Sequence, residues 1–271
     1  MKKRIRFIDC GANAGQSIQW ALDTIKDNGY KLKIDSFEAN PDLIEEIQFK
    51  FSDLDKKTLS VHQAAVDIEE GTKTFFLQDW GAKTGSSLHE NKESTIKKLV
   101  VWGKVYYQDE FGQYHELQFS ENGKPAHPTM YQMMSNEGVL QILNQDRFTI
   151  DNREDLYNKI EVDSINLSKW FEENINPEKE LVLLKLDIEG TEFPIVEEFI
   201  NNGLHNKVDV LLVEWTPEGK IQMCGDILES PNHRASLIRK TEEVFKCVLD
   251  WKHPKQCSEP LLEYLKTIKD L

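Results

Sequence analysis

The first forty residues alternate between strand-like and helix-like segments around a turn that only small residues can make. Residues 4–10 are rich in β-branched and aromatic side chains, which indicates a short strand. The strand runs directly into five small residues, 11–15, and the apolar residues of 16–27 then recur at helical spacing. A second strand-like segment, 32–38, follows. This order predicts the start of a doubly wound sheet with right-handed crossovers.

The same alternation continues along most of the chain. Further strands are predicted over 59–66, 72–77, 181–188, 208–215 and 244–251, the second of them antiparallel. Helices are predicted to start at Pro41 and Gly190 and to span 164–175, 236–241 and 260–268. The pattern is lost from about Lys92 to Lys159, where only a hairpin, 100–107 with 114–119, and a weak helix near 139–143 are indicated. We therefore predict one α/β domain over 1–271 with an insertion at 92–159.

The net charge of the chain limits the classes of partner that it can bind. Lysine and arginine number 33 and aspartate and glutamate 47, which gives a net charge of −14. A nucleic-acid backbone binds a face of lysine and arginine that this composition supplies only locally, so no nucleic-acid partner is predicted. No run approaches the roughly 20 apolar residues of a membrane-spanning helix, and Asp9 interrupts the basic start before a signal-peptide core forms. We predict no membrane span and a cytoplasmic location.

Two groups at the strand ends predict a ligand that contains adenosine. The small turn precedes a helix N-terminus, where backbone N–H groups bind anions, and Gln16 and Ser17 add side-chain donors. Glu38 ends the second strand, where a carboxylate can accept hydrogen bonds from both hydroxyl groups of a ribose. Dinucleotide and S-adenosylmethionine sites share this arrangement. A pyrophosphate site favours Gly-x-Gly-x-x-Gly, whereas Asn13 offers an amide that suits a carboxylate and an ammonium better.

Five segments of the chain carry a resemblance to a known family. They are FIDCGANAGQS (7–17), FEANP (37–41), AAV (64–66), GSSL (85–88) and LKLDIEGTE (184–192). In this order they resemble the signatures of the FkbM family of S-adenosylmethionine-dependent O-methyltransferases, and the last is the most family-specific. The resemblance covers roughly residues 5–90 and 160–216 and departs over 92–159. It implies a class I methyltransferase-like (Rossmann-like) doubly wound mixed sheet that forms a single methyltransferase domain.

The resemblance implies that S-adenosylmethionine lies across the carboxyl ends of the strands. The residues that would bind its methionine half are Asp9, Gly11, Asn13, Gly15, Gln16 and Ser17. Those that would bind or border its ribose and adenine are Glu38, Ala39, Ala65, Val66 and Asp67. Ser86 and Ser87 would lie near the sulfonium or the acceptor, and Asp187 would face the transferring methyl group.

Methyl transfer is an in-line displacement, so catalysis consists largely of alignment, with a base for the acceptor hydroxyl. Lys185, Asp187 and Glu189 alternate onto one side of their strand, and Asp187 is predicted to be the base or to orient the acceptor. Glu189 and His89 are further candidates, with His233 in the tail as an alternative to His89. Asp187 could instead cap the next helix.

Other readings of the same residues stay open. Asp187, Glu189 and Glu214 could form a Mg²⁺ site, although we do not predict a metal because acids near strand ends are common in an acidic protein. The resemblance implies an acceptor hydroxyl on a sugar, a glycan or a small metabolite, and 92–159 is predicted to cap it. The alternatives to an O-methyltransferase are a non-catalytic adenosine-ligand binding module and an NAD-dependent oxidoreductase. The oligomeric state is unknown from the sequence.

Overall fold

Strands and helices alternate along the chain in the computed structural model, which describes residues 4–77, 86–88, 105–108, 114–117, 148–150, 158–216 and 231–268. The strands are β1 (Arg4–Cys10), β2 (Leu32–Glu38), β3 (Leu59–Gln63), β4 (Ala65–Asp67), β5 (Gly71–Leu77), β6 (Val105–Gln108), β7 (Tyr114–Leu117), β8 (Phe148–Ile150), β9 (Asn158–Asn166), β10 (Glu180–Leu186), β11 (Val210–Val213) and β12 (Val248–Asp250). The α-helices are α1 (Gln16–Ala21), α2 (Pro41–Lys50), α3 (Leu167–Asn174), α4 (Glu192–Asn201), α5 (Pro231–Val244) and α6 (Pro254–Thr267).

The central sheet has six parallel strands in the order β12-β11-β10-β1-β2-β3. The chain moves outward from β1 through β2 to β3, then returns to the other side of β1 with β10 and continues outward to β12. The strand order therefore reverses between β1 and β10, which is where ligands bind in open α/β sheets. The doubly wound, Rossmann-like fold predicted from the sequence is confirmed.

The antiparallel strand that the sequence predicted lies outside the central sheet. β5 pairs antiparallel with β9, and β4 pairs parallel with β9, in a separate three-stranded sheet. The predicted strand 59–66 is wrong because it divides at Ala64, whose N–H donates to the carbonyl of Glu38 at 3.0 Å. The pairing of β3 with β2 ends at Gln63, and the next residues, 65–67, pair with β9 in the smaller sheet.

Several element ends differ from the prediction for local reasons. The helix predicted from residue 164 begins at Leu167, because Ser164 to Asn166 still pair with β4 and the side chain of Asn166 caps the helix. α1 is short and passes into a π-helical turn, Leu22–Lys26. α6 begins at Pro254, six residues before the predicted start, because a proline at the first helical position lacks only an N–H that needs no partner there.

Both faces of the central sheet are buried, so the ends of its strands are the positions that remain accessible to a ligand. Ile8 and Leu184 face a core completed by Phe171 and Phe199, whereas neighbouring residues such as Phe7 face the opposite core. α3 and α4 contribute to the first core, and α1 and α6 to the second. A ligand therefore reaches this sheet at the strand ends.

Part of the predicted insertion is described. β6 and β7 form an antiparallel hairpin, as predicted, and β8 pairs with β6 in a third sheet. The remainder of 92–159, including the helix predicted near 139–143, lies outside the described residues, and the cap stays a prediction. None of the helices in the described part of the chain is long and apolar enough to cross a membrane.

A substitution at Gly15 tests how tightly the turn of residues 11–15 packs against its neighbours. Its φ is +79°, and a Cβ there would lie 2.5 Å from the ring of the buried Phe51, whereas Gly29, with φ +87°, has open space around it. We expect Gly29→Ala to lower the free energy of unfolding by about 1 kcal/mol and Gly15→Ala by about 3 kcal/mol, because overpacking adds to the backbone cost. Urea unfolding of both variants measures the difference. Equal losses would contradict the packing argument.

Candidate functional site

A cavity of about 420 Å³ opens at the carboxyl ends of the central strands. Residues that follow β1, β2, β10, β11 and β12 line it, together with residues of 64–66 and 86–88. Its volume falls in the range of small-molecule sites, about 300–1,000 Å³. The cavity spans the point between β1 and β10 where the strand order reverses, so it lies where the fold itself predicts a ligand.

The turn after β1 touches the loop after β10. Gly11 has φ +84°, and a Cβ on it would lie 2.0 Å from the carbonyl oxygen of Asp187. The N–H of Asp187 also donates to the carbonyl of Cys10 at 3.2 Å. Gly11 is therefore required for the contact between two strand-end loops, a role that the sequence did not indicate.

Glu38 is held at the cavity wall by two backbone donors. The N–H of Asn13 donates to Oε2 and the N–H of Asn40 to Oε1, both at 2.8 Å. Burial raises the pKa of Glu38, and these N–H donors oppose the shift without cancelling it. Because a carboxylate offers about four acceptor positions, each oxygen keeps capacity for a further donor. The carboxylate can accept hydrogen bonds from two neighbouring hydroxyl groups.

The buried side chain of Lys185 connects the ends of β1 and β10. Its ammonium group donates to the carbonyl of Gly11 at 2.6 Å and lies 3.2 Å from Oδ1 of Asp9 and 3.4 Å from Oδ2 of Asp187. The lysine is 1% exposed. Burial opposes its charge, but the carboxylates of Asp9 and Asp187 outweigh burial and raise the pKa of Lys185. These carboxylates therefore favour the charged ammonium form of Lys185 at the cavity wall.

Asp9 lies behind the wall and does not line the cavity. Its Oδ2 accepts hydrogen bonds from the hydroxyl groups of Ser17 and Ser36, both at 2.7 Å, and its side chain is fully buried. These hydrogen bonds and the ion pair to Lys185 occupy the Asp9 carboxylate. Asp9 therefore positions the turn of residues 11–15.

The loop after β10 presents Asp187 and Glu189 to the cavity. About one third of the Asp187 side chain is exposed, and Thr191, not Asp187, is the N-cap residue of α4, so the capping alternative is wrong. Glu189 adopts φ +54°, a conformation that is uncommon for non-glycine residues and that clusters at functional sites. The hydroxyl of Ser87 donates to the Glu189 carbonyl at 2.7 Å and fixes this backbone.

Glu192 holds that loop and was not predicted to do so. Its carboxylate accepts hydrogen bonds from the N–H groups of Ile188 and Gly190, both at 2.9 Å, and from the hydroxyl of Thr216 at 3.2 Å. The side chain is fully buried, and burial raises the pKa of Glu192 to about 7. Its place in the first turn of a helix by itself indicates only an interaction with the helix dipole.

Most of the predicted site residues line the cavity. These are Gly11, Asn13, Gln16, Ser17, Glu38, Ala39, Ala65, Val66, Ser86, Asp187, Glu189 and Glu214. Asp9, Gly15, Asp67 and Ser87 do not line it. Gly15 packs against Phe51, Asp67 pairs with Lys73 at 3.0 Å, and Ser87 bonds the backbone of Glu189.

The remaining candidates are two histidines and a metal site. His89 lies outside the described residues, and His233 faces Glu197 at 3.4 Å away from the cavity lining. Among the described residues no group of three or more His, Cys, Asp or Glu side chains could hold a metal ion. Asp187, Glu189 and Glu214 do not form such a group there, and the cation beside Asp187 is Lys185.

The C-terminal segment forms a part of the cavity wall that the sequence did not indicate. Trp251, Lys252 and Pro254, at the end of β12 and the start of α6, line the cavity. The Trp251 ring is buried, and its centroid lies 5.6 Å from Nζ of Lys185. No local pattern could reveal this contact, because parallel pairing of β12 with β11 brings the tail to the site.

The raised pKa of Glu192 predicts how stability changes with pH. The folded protein holds the Glu192 proton up to pH about 7, whereas the ordinary value is 4.5. Its contribution to stability is therefore complete below pH 4.5 and is lost as the pH rises through 7, a change of about 3 kcal/mol. We expect the unfolding free energy of the wild type to fall by that much more than that of Glu192→Gln between pH 4.5 and 8 in urea titrations. Parallel pH profiles would contradict this.

Comparison with known proteins identifies the family. The model of the methyltransferase FkbM domain matches residues 9–234. No curated protein and no solved structure with which the chain was compared matches it. The matched range contains the first turn, Glu38 and the loop of Asp187, and it ends before the tail residues that complete the cavity. Because the match spans most of the chain and agrees with its fold, this chain belongs to the FkbM methyltransferase family.

Proposed function

We propose that this methyltransferase uses S-adenosylmethionine to methylate a hydroxyl group of a sugar, a glycan or a small metabolite. The observation that carries the proposal is Glu38, whose two oxygens are held by N–H groups at 2.8 Å and keep acceptor capacity at the cavity wall. A carboxylate at the end of the second strand suits the two hydroxyl groups of a ribose. The cavity volume also suits a ligand of this size.

The residues present fit the parts of this cofactor. Asn13, Gln16 and Ser17 offer polar groups for an amino acid carboxylate and ammonium, and the apolar residues of 64–66 would border the adenine. When bound, the cofactor supplies a methyl group whose bond to sulfur breaks with its electron pair left on sulfur, while an acceptor oxygen forms the new bond to carbon. The acceptor hydroxyl must also give up its proton.

Asp187 is the group that we assign to the acceptor hydroxyl. Its carboxylate lines the cavity and can accept that proton or orient the oxygen. Lys185 holds one of its oxygens at 3.4 Å, and Glu192 and Ser87 fix the loop behind it. Glu189 lines the cavity beside it and is the second candidate for the same role.

The charge of the cavity supports a neutral acceptor. Glu38, Asp187, Glu189 and Glu214 line it, against two lysines. An acceptor with phosphate or several carboxylates would be repelled by this excess of carboxylates, whereas hydroxyl groups can donate hydrogen bonds to them. We therefore infer that the acceptor is a neutral polyol, with a saccharide as the first class to test.

The role of Glu38 can be tested by binding. We expect Glu38→Ala to weaken S-adenosylmethionine by about 1–3 kcal/mol, because two ribose hydroxyl groups lose their acceptor. Calorimetric titration of wild type and variant measures the change. Glu46→Ala, which removes an exposed glutamate of α2, should bind as the wild type does.

The same titrations include S-adenosylhomocysteine and NAD. Tight binding of NAD without binding of either sulfur compound would favour the oxidoreductase alternative. Unchanged affinity of Glu38→Ala would contradict the ribose contact.

The role of Asp187 can be tested by activity. Transfer of labelled methyl groups to a panel of neutral saccharides and small metabolites identifies the acceptor. With that acceptor, we expect Asp187→Asn to lower kcat at least about 100-fold, because the hydroxyl loses its base or its orienting partner. Affinity for the neutral S-adenosylhomocysteine should stay within about threefold, because the variant keeps the shape of the side chain. Full activity of the variant would exclude Asp187 as the base. Binding of the cofactor without transfer to any acceptor would favour the non-catalytic alternative.

A further inference from the structure

Three buried or partly buried charges, those of Asp9, Lys185 and Asp187, lie together at the ends of β1 and β10. The ammonium of Lys185 stands between the carboxylates of Asp9 and Asp187, at 3.2 and 3.4 Å. Lys185 is 1% exposed and Asp9 fully buried. The buried ring of Trp251 lies over the ammonium, 5.6 Å from its centroid. Because Lys185 and Asp9 are buried, their charges are screened less by solvent than exposed charges are.

The charge of Lys185 determines the net charge of the group that Asp9, Lys185 and Asp187 form. The two carboxylates contribute −2 and the ammonium +1, so these three groups together carry a net charge of −1. Lys185 and Asp187 line the cavity, whereas Asp9 acts from behind the wall. Without the ammonium, both carboxylates would act uncompensated on whatever the cavity binds.

We propose that Lys185 determines how strongly this site prefers the cationic cofactor S-adenosylmethionine over its neutral product S-adenosylhomocysteine. The inference rests on the proposed function, which brings a sulfonium to this cavity and leaves a neutral thioether in it. Each carboxylate attracts the sulfonium, and the ammonium cancels one of them. The site therefore binds the cation less tightly than its carboxylates alone would.

This balance favours turnover. Positive charge on sulfur decreases as the methyl group departs, so a buried ammonium disfavours the bound reactant more than the transition state. The carboxylates have the opposite effect. Lys185 thus limits the part of the binding energy that stabilises only the reactant.

The ratio of two dissociation constants separates this role from a purely structural one. The two ligands share their adenosine and amino acid parts and differ in the charge on sulfur. A lysine that only holds the Gly11 turn in place would, when removed, weaken both ligands equally. A lysine that acts through its charge changes their ratio.

The experiment is calorimetric titration of both ligands at pH 8.5 and low salt. We expect Lys185→Met to raise the ratio of the S-adenosylhomocysteine Kd to the S-adenosylmethionine Kd about tenfold, and Asp9→Asn to lower it about tenfold. The double variant, Asp9→Asn with Lys185→Met, removes one charge of each sign and should return to within about threefold of the wild type. Circular dichroism and thermal unfolding verify that each variant is folded.

Lys240→Met, which removes a positive charge from an exposed lysine of α5 outside the cavity lining, is the control, and the ratio should change less than about twofold. An unchanged ratio in folded Lys185→Met and Asp9→Asn would overturn the proposal. If Lys185→Met does not fold, Asp9→Asn decides alone, because Asp9 does not line the cavity. Wild-type protein that binds neither ligand would overturn the proposed function as well, whereas binding with an unchanged ratio would overturn this inference only.

Discussion

The site depends on one buried ion, the ammonium of Lys185. It bonds the carbonyl of Gly11 and pairs with Asp9 and Asp187, so it joins the ends of β1 and β10 at the point where the doubly wound sheet divides into two halves. A buried charge is costly unless every donor finds a partner, and removing one partner of such a pair costs several kcal/mol. Lys185 therefore both holds the two strand ends together and contributes to the charge of the cavity.

The loops around this ion are held by contacts within the protein. Gly11 admits the carbonyl of Asp187 where any side chain would collide. Glu192 bonds two N–H groups of the loop after β10, and Ser87 bonds the carbonyl of Glu189. Groups that align an acceptor must be held within a fraction of an ångström, and hydrogen bonds from buried neighbours supply that rigidity. The chemistry that we propose for Asp187 needs this support.

Much of the site could be predicted because its signals are local. The turn after β1 and the carboxylate at the end of β2 are read from short segments, and the parallel pairing of these strands brings them to one edge. The misplaced elements depend on distant partners. The division at Ala64 depends on the pairing of residues 65–67 with β9, and residues 164–166 remain extended because they pair with β4. Such pairings have no signal in the segment itself.

The sequence by itself determined the doubly wound fold, the family, and which residue types meet at the strand ends, because hydrophobic periodicity and small-residue turns act over a few neighbouring positions. Only the tertiary structure decided which of these residues face the cavity. Asp9, predicted to bind the cofactor, lies behind the wall, whereas Lys185 and Trp251 form part of the wall. The reason is that burial and charge pairing depend on strands that are far apart in the chain, such as β1, β10 and β12, and their contacts exist only once the sheet has formed.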